Sequence, residues 1–217
     1  MCEGPRAAGK RNAPTDVPSS KHRAGYDKDD PPSTGGDPPV GTTIEIGGGG
    51  ALQWGNGEYG VVLAHGAVFD AASWEDQATA IADQGATVVA VEDIAPESIA
   101  AAVAKLHDDG HADVALVGGS AGADAILQLA SQQPDLPDQL VLLSPPTGLS
   151  TASAGEPKLV IASEDEPVAH VSQQLADSSP GVDNEMILLP GSAHAQNIFD
   201  GESGDAALQA ILERLAN

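Results

Sequence analysis

A serine lies between two glycines at the point where an apolar run gives way to a helical pattern. The run covers residues 113–117 (DVALV), and residues 118–122 (GGSAG) follow it directly. A Gly-x-Ser-x-Gly sequence between a strand and a helix is typical of a sharp turn that exposes a serine hydroxyl, because larger side chains at the two glycines would collide. Main-chain N–H groups at the start of the next helix are free to bind an oxyanion. The pattern predicts Ser120 as a nucleophile.

A serine hydroxyl is a weak nucleophile near neutral pH and needs a base within hydrogen-bond reach. Of the six histidines, only His194 follows the last predicted strand, in a turn of glycine, serine and alanine that would let its ring approach Ser120. The alternative for His194 is an ordinary surface loop residue. His65, in a His-Gly turn after an earlier strand, is predicted to support its loop.

The elements that would position these residues alternate between strands and helices. Predicted strands cover residues 42–46, 51–54, 60–64, 86–91, 113–117, 139–143, 158–162 and 185–189. Predicted helices cover 73–83, with Ser73 as N-cap, and 96–108, 121–132, 168–177 and 204–215. Fully apolar strands that alternate with helices predict an α/β fold, with a mostly parallel sheet covered on both faces and an antiparallel edge at 42–54.

From residue 40 to residue 217 the sequence resembles the α/β-hydrolase superfamily, most of all its small single-domain bacterial esterases and dienelactone-hydrolase-like proteins. The likeness is carried by the serine turn, by VVLAHG at 61–66, LVLLSP at 140–145, KLVIASEDE at 158–166 and LLPGSAHA at 188–195. The segment VEDIAPES departs from a run that many members carry, which leaves the substrate class open. The short connection at 144–157 implies that no cap domain is inserted.

The resemblance implies a serine esterase that works through an acyl-enzyme, with the acid of its triad after strand 158–162. Asp165 matches that position best, and its neighbours Glu164 and Glu166 remain alternatives. The oxyanion would be bound by the main-chain N–H groups of Ala121 and of Ala67 or Val68. Val68 and Phe69 would contact the substrate. The contrasting hypothesis is a catalytically silent binding protein of the same fold, such as a surface lipoprotein.

Charge is distributed unevenly along the chain, whose net charge is −23. Residues 40–217 hold 26 acidic side chains and three basic ones, Lys105, Lys158 and Arg214. This balance excludes nucleic acid as a partner, because phosphate contacts need the opposite sign. It also suggests adaptation to high salt. The sequence has no metal-ligand spacing and no phosphate-binding loop, so we expect no cofactor and no metal. We also expect a monomer that acts on a small or polymeric ester.

Residues 1–39 contain seven of the 16 prolines and show no apolar periodicity, which predicts a disordered leader or tether before the domain at 40–217. Cys2 directly follows Met1 and precedes this tether, as in the mature start of a bacterial lipoprotein. A lipid anchor at Cys2 would imply a secreted or cell-surface protein whose signal was removed. Otherwise Cys2 is a chance cysteine and the protein cytoplasmic. No apolar run approaches the roughly 20 residues of a transmembrane helix.

Overall fold

The computed structural model of this chain describes residue 1, residues 41–147 and residues 155–216. Its strands are β1 (Thr42–Ile46), β2 (Gly49–Trp54), β3 (Tyr59–Ala64), β4 (Ala86–Val91), β5 (Val114–Gly119), β6 (Gln139–Leu143), β7 (Lys158–Ser163) and β8 (Glu185–Leu189). Its helices are α1 (Glu75–Asp83), α2 (Pro96–Asp108), α3 (Ala121–Gln132), α4 (Ala169–Ser178) and α5 (Gly204–Leu215). Two short 3-10 turns cover Ala71–Trp74 and Ala195–Ile198.

The strands form one eight-stranded sheet in the order β1-β2-β4-β3-β5-β6-β7-β8. Strands β3 to β8 are parallel, whereas β2 pairs antiparallel with both β1 and β4. We call the side at which β3 to β8 end the carboxyl edge, and the side at which they begin the amino edge. Helical crossovers return the chain to the amino edge, so every loop that follows one of these strands lies at the carboxyl edge. The loop after β5 lies between the loops after β3 and β6.

Helices cover both faces of the sheet, as the apolar strands predicted. Strands β4, β5 and β7 are buried along their whole length. Successive side chains of β5 enter different cores: Leu116 packs in the core that includes α2, α3 and α4, and Val117 in the core that includes α1 and α5. Because a strand's side chains alternate between its faces, only a strand with helices on both sides is apolar throughout.

The start of the first helical segment differs from the prediction. A 3-10 turn precedes α1, and its N-cap is Asp70, whose Oδ1 accepts a hydrogen bond from the Ser73 N–H at 3.0 Å. The Ser73 hydroxyl instead donates to the main-chain oxygen of Asp70. The prediction of Ser73 as N-cap is therefore wrong, because an aspartate three residues earlier supplies the acceptor that the turn needs.

The predicted leader at 1–39, including Cys2, lies outside the described residues apart from Met1, and so do residues 148–154 of the connection at 144–157. The domain boundary and the lipid anchor stay predictions. In the part of the chain that the structure describes, no helix combines the length and the apolar character that a bilayer crossing requires.

Candidate active site

Ser120 occupies the turn between β5 and α3 in a strained backbone conformation, with φ 50° and ψ −113°. The two glycines of the motif make this turn sterically possible. A Cβ on Gly122 would lie 2.2 Å from the main-chain oxygen of Ala64, and one on Gly118 would lie 2.8 Å from the nitrogen of Ala123. Real Cβ atoms do not approach backbone this closely, so both glycines are required. The turn leaves Ser120 half-buried at the carboxyl edge.

His194 lies at the same edge, in the loop after β8 and directly before a 3-10 turn. Its Nε2 is 2.9 Å from Ser120 Oγ. The side chain is 38% exposed, so one side of the ring faces solvent. The structure thus brings together the two residues that the sequence singled out for nucleophile and base.

The carboxylate that reaches His194 belongs to Glu166, whose Oε2 is 2.6 Å from His194 Nδ1. The expectation that Asp165 has this position is corrected to Glu166, one of the two alternatives. The main-chain N–H groups of Glu164 and Asp165 donate to the oxygens of Leu189, the last residue of β8, and of Gly191 in the loop after it, and both of their side chains are exposed. At Glu166 the chain turns back, with its N–H bonded to the oxygen of Ser163, and its side chain is fully buried.

These contacts set the direction of the hydrogen bonds. An ionised carboxylate only accepts, so His194 Nδ1 carries the proton that Glu166 binds. In the neutral ring Nε2 is then the unprotonated nitrogen, and the hydroxyl of Ser120 donates to it. The histidine is held in the tautomer in which it can take a proton from the serine.

The other oxygen of Glu166 is held by two further donors. Oε1 accepts from the hydroxyl of Ser144 at 2.7 Å and from the main-chain N–H of Ser163 at 3.0 Å. Ser144 is fully buried at the end of β6, and its hydroxyl accepts from the N–H of Ala195 at 2.9 Å. Ser144 therefore joins the carboxylate to the loop after β8 that contains His194, which we call the histidine loop. Because a buried carboxylate needs hydrogen-bond partners, these contacts fix where Glu166 lies.

The loop after β3 lies against Ser120. A Cβ on Gly66 would be 3.6 Å from Ser120 Cβ. The ring of His65 is buried, with Nδ1 2.8 Å from the oxygen of Gly66 and Nε2 3.1 Å from the oxygen of Glu92, which is the supporting place predicted for it. The N–H of Gly66 donates to Gln196 Oε1 at 2.7 Å.

The predicted oxyanion and substrate residues follow in this loop and in α3. Ala67 and Val68 are exposed, Val68 at 88%, and Phe69 is half-buried beside Gly66. Ala121 is the first residue of α3, a position whose N–H has no acceptor within the helix. The roles of these residues in binding an oxyanion and a substrate stay predictions.

Asp124 lies one turn after Ser120 on α3. Its Oδ1 accepts from the main-chain N–H of Thr147 at 3.3 Å, and burial raises the pKa of its carboxyl. This contact joins α3 to the connection after β6. Within the described residues its side chain has no hydrogen bond to Ser120 or His194.

Sequence reasoning missed three residues of this site: Ser144, Ser163 and Gln196. Ser144 and Ser163 each lie where an apolar strand finishes at the carboxyl edge, and Gln196 is two residues from His194. Position after a strand is a signal that could have selected the two serines, but many polar loop residues share it. Only the packed structure distinguishes them.

A cavity of about 810 Å³ lies far from this chemistry, at the amino edge, among residues such as Glu58, His111 and Asp113. Ser120 and His194 do not line it. A recess without reactive groups in hydrogen-bonding geometry does not define an active site. No group of three or more metal-binding side chains occurs among the described residues.

Solved structures match the fold of this chain, whereas the comparisons of its sequence find no match. No protein-family model matches the chain, and no curated protein matches it. The crystal structure of a Paleococcus ferrophilus monoacylglycerol lipase matches with a TM-score of 0.67 at 15% identity, over 79% of this chain and 98% of the lipase.

Two further solved structures give similar values. A thermophilic esterase from Thermogutta terrifontis, solved with malate bound, matches with a TM-score of 0.64 at 15% identity, over 81% of this chain and 98% of the esterase. A CIB-like hydrolase from Thermoplasma acidophilum has a TM-score of 0.64 at 16% identity, over 81% and 96% of the two chains. Identities this low establish a common fold alone.

Proposed function

We propose, from the α/β-hydrolase fold that this chain has, that it is a serine hydrolase that cleaves carboxylic esters through an acyl-enzyme at Ser120. The sheet order and the matched structures confirm the fold, with its mostly parallel sheet and helices on both faces. One observation carries the proposal. The hydroxyl of Ser120, the ring of His194 and the carboxylate of Glu166 form a continuous line of two short hydrogen bonds.

In the first half of the proposed reaction, Ser120 Oγ attacks the ester carbonyl carbon as His194 Nε2 takes the serine proton. Glu166 holds the ring and stabilises the imidazolium through its bond to Nδ1. The carbonyl oxygen becomes an oxyanion, which the N–H groups of Ala121 and Ala67 would bind. When the tetrahedral intermediate collapses, the bond to the alcohol oxygen breaks, and His194 gives its proton to that oxygen.

In the second half, water replaces the alcohol. His194 takes a proton from the water, whose oxygen attacks the acyl carbon, and a second tetrahedral intermediate forms at the same two N–H groups. Its collapse releases the carboxylic acid and returns the proton to Ser120 Oγ. Besides the ester and water, the proposed reaction uses only groups of this chain, and His194 is the base in both halves.

The accessibility of the site supports an ester that approaches from solvent. His194 is partly exposed, and Val68, in the loop after β3, is exposed to solvent. Among the structures with this fold are a protein named as a lipase and one named as an esterase, which favours esters over other acyl substrates. Small esters and the exposed ends of polymeric esters both fit such a site. A monomer without a cap domain is part of the proposal.

A fluorophosphonate probe tests the proposal. We expect the wild-type protein to be labelled and Ser120→Ala to be unlabelled, with hydrolysis of short p-nitrophenyl esters lost by at least about 10⁴-fold. Ser131→Ala is the matched control, because Ser131 is exposed at the end of α3 and lies outside the site. It should label like the wild type. A wild type that neither labels nor hydrolyses any ester of a panel would instead favour the silent binding protein.

A further inference from the structure

One buried glutamine connects the histidine loop with the loop that follows β3. Gln196 lies two residues after His194, and its side chain is 5% exposed. Its Oε1 accepts from the N–H of Gly66 at 2.7 Å, and its Nε2 donates to the hydroxyl of Ser73 at 2.6 Å. That hydroxyl in turn donates to the oxygen of Asp70. One side chain therefore holds the loop at two points, on either side of Ala67.

The contact also passes close to the nucleophile. A Cβ on Gly119, the residue before Ser120, would lie 3.4 Å from Gln196 Cγ, so the glutamine packs against the end of β5. The backbone at Ala195 is in the left-handed region with φ 50°, and its N–H is bonded to Ser144. This bond and the strained backbone start the turn that directs Gln196 toward the loop after β3. Gln196 is thus fixed by the histidine loop and fixes a second loop in turn.

Only a carboxamide fits both ends of this connection. The Gly66 N–H needs an acceptor, and here the Ser73 hydroxyl, which already donates to Asp70, needs a donor. Without the side chain the Gly66 N–H would be buried and unpaired, at a cost that favours a shift of the loop. Gly66 directly precedes Ala67, so such a shift would move the Ala67 N–H.

We infer that Gln196 is a positioning residue that holds the main-chain N–H of Ala67 at the distance from Ser120 at which it stabilises the oxyanion. The inference rests on the proposed function, and it goes beyond it by assigning the geometry of the oxyanion hole to a side chain of the histidine loop. Among the described residues, the side chain of Gln196 is hydrogen-bonded to Gly66 and Ser73 and not to Ser120 or His194. Its effect on catalysis passes through the position of the loop.

The central experiment replaces Gln196 with methionine, which has a similar length but no acceptor or donor for these two bonds. We expect kcat for p-nitrophenyl acetate to fall about 10- to 100-fold, because a donor displaced by about 1 Å loses most of its effect on the transition state. KM should change less than about 3-fold. Binding of a trifluoromethyl ketone, which forms a tetrahedral adduct with the serine, should weaken by the same factor as kcat/KM.

The matched control is Gln209→Met. Gln209 lies on the exposed face of α5, where its amide donates to Glu213, so the same atoms are removed at a place remote from the site. It should retain wild-type kcat. A variant that keeps the acceptor, Gln196→Glu, should recover part of the lost kcat, and Ser73→Ala, which removes the second partner, should reduce kcat less than Gln196→Met.

A readout without turnover keeps the inference testable if Gln196→Met folds poorly. In the Ser120→Ala background, hydrogen exchange of the Gly66 amide should be slow, and Ser73→Ala should accelerate it by loosening Gln196. Wild-type kcat in Gln196→Met, or equal loss of kcat in Gln209→Met, would overturn the inference while the proposed function stood. Fast exchange at Gly66 in the parent would also overturn it. A wild type that is inert toward esters and the probe would end both.

Discussion

The two edges of the sheet differ in which residues take the left-handed backbone conformation. At the amino edge a positive φ occurs mostly at glycine, namely Gly55, Gly85, Gly110 and Gly181, with Asp183 as an exception. At the carboxyl edge, three described residues other than glycine also have a positive φ, namely Ser120, Ser144 and Ala195. All three lie in the candidate site or next to it. A Cβ makes this conformation costly, by about 1–3 kcal/mol for a strained residue.

The difference corresponds to what each edge has to do. At the amino edge a turn only has to reverse the chain, and glycine does so with little strain. At the carboxyl edge Ser120 and Ser144 keep their hydroxyls in spite of the strain, and those hydroxyls bond to His194 and Glu166. Strain that is retained together with a hydrogen-bonding side chain supports a chemical role for that edge.

The edges also differ in where the basic residues lie. The three basic residues of the described domain all lie toward the amino edge: Lys105 in the last turn of α2, Lys158 at the start of β7 and Arg214 in the last turn of α5. The loops at the carboxyl edge carry exposed acids, namely Asp70, Glu92, Asp93, Glu164 and Asp165, and no lysine or arginine among the described residues. Any substrate therefore meets a negative field as it approaches the candidate site.

Among the changes that test this comparison, the largest effect should come from the buried carboxylate of the carboxyl edge. Glu166→Gln should lower kcat about 10³- to 10⁴-fold, because the amide keeps the shape but no longer holds the catalytic tautomer of His194. Steady-state hydrolysis of p-nitrophenyl acetate measures the loss, and circular dichroism checks the fold.

Asp165→Asn is the matched control for Glu166→Gln, since it removes one negative charge from the adjacent residue, whose side chain is exposed. It should change kcat by less than about 2-fold. The reverse result, with Asp165→Asn inactive and Glu166→Gln active, would show that the loop after β7 is arranged differently in solution.

An intermediate effect should follow from the exposed acids of the carboxyl edge. An ester with a neutral acyl chain, p-nitrophenyl butyrate, should have a kcat/KM at least about 10-fold above that of p-nitrophenyl hemisuccinate at low salt. In about 1 M NaCl the Debye length is only about 3 Å, and the ratio should fall toward one. Lys105→Gln, a change at the amino edge, should leave the ratio unaltered. A ratio that salt does not change would assign the preference to pocket shape.

The smallest effect belongs to the amino edge and concerns stability alone. Tyr59, the first residue of β3, accepts a hydrogen bond from Gln139, and burial raises the pKa of its phenol to about 12. Since the pKa of an unfolded tyrosine is about 10, the folded state holds this proton more tightly. The associated stability is complete below pH 10 and is lost as pH rises through about 12.

Absorbance titration of the phenolate in a Tyr26→Phe background, which leaves Tyr59 as the remaining tyrosine, measures this value. Urea unfolding at about pH 9 and about pH 11 should show the loss of stability, and Tyr59→Phe should lessen it while kcat stays at the wild-type level. Titration near 10 would mean that the amino edge is more open to solvent than the structure has it.

Much of the fold could be predicted from the sequence because its signals are local. Strands β1, β4, β6 and β8 and helices α2, α3 and α5 have the bounds expected from apolar runs, glycines and prolines. The start of α1 could not be predicted, because Ser73 and Asp70 both suit an N-cap and tertiary contacts decided between them. The leader stays a prediction.

The sequence by itself determined the sheet with helices on both faces, the serine turn between Gly118 and Gly122, and the pairing of Ser120 with His194. Each depends on residue type at a fixed spacing, or on the rule that parallel strands finish at one edge. Only the tertiary structure decided that Glu166 and not Asp165 reaches the histidine, and that Ser144 and Gln196 support it. Those choices depend on how the loops after β6, β7 and β8 pack together, and a shift of one residue there redirects a side chain from solvent to the site.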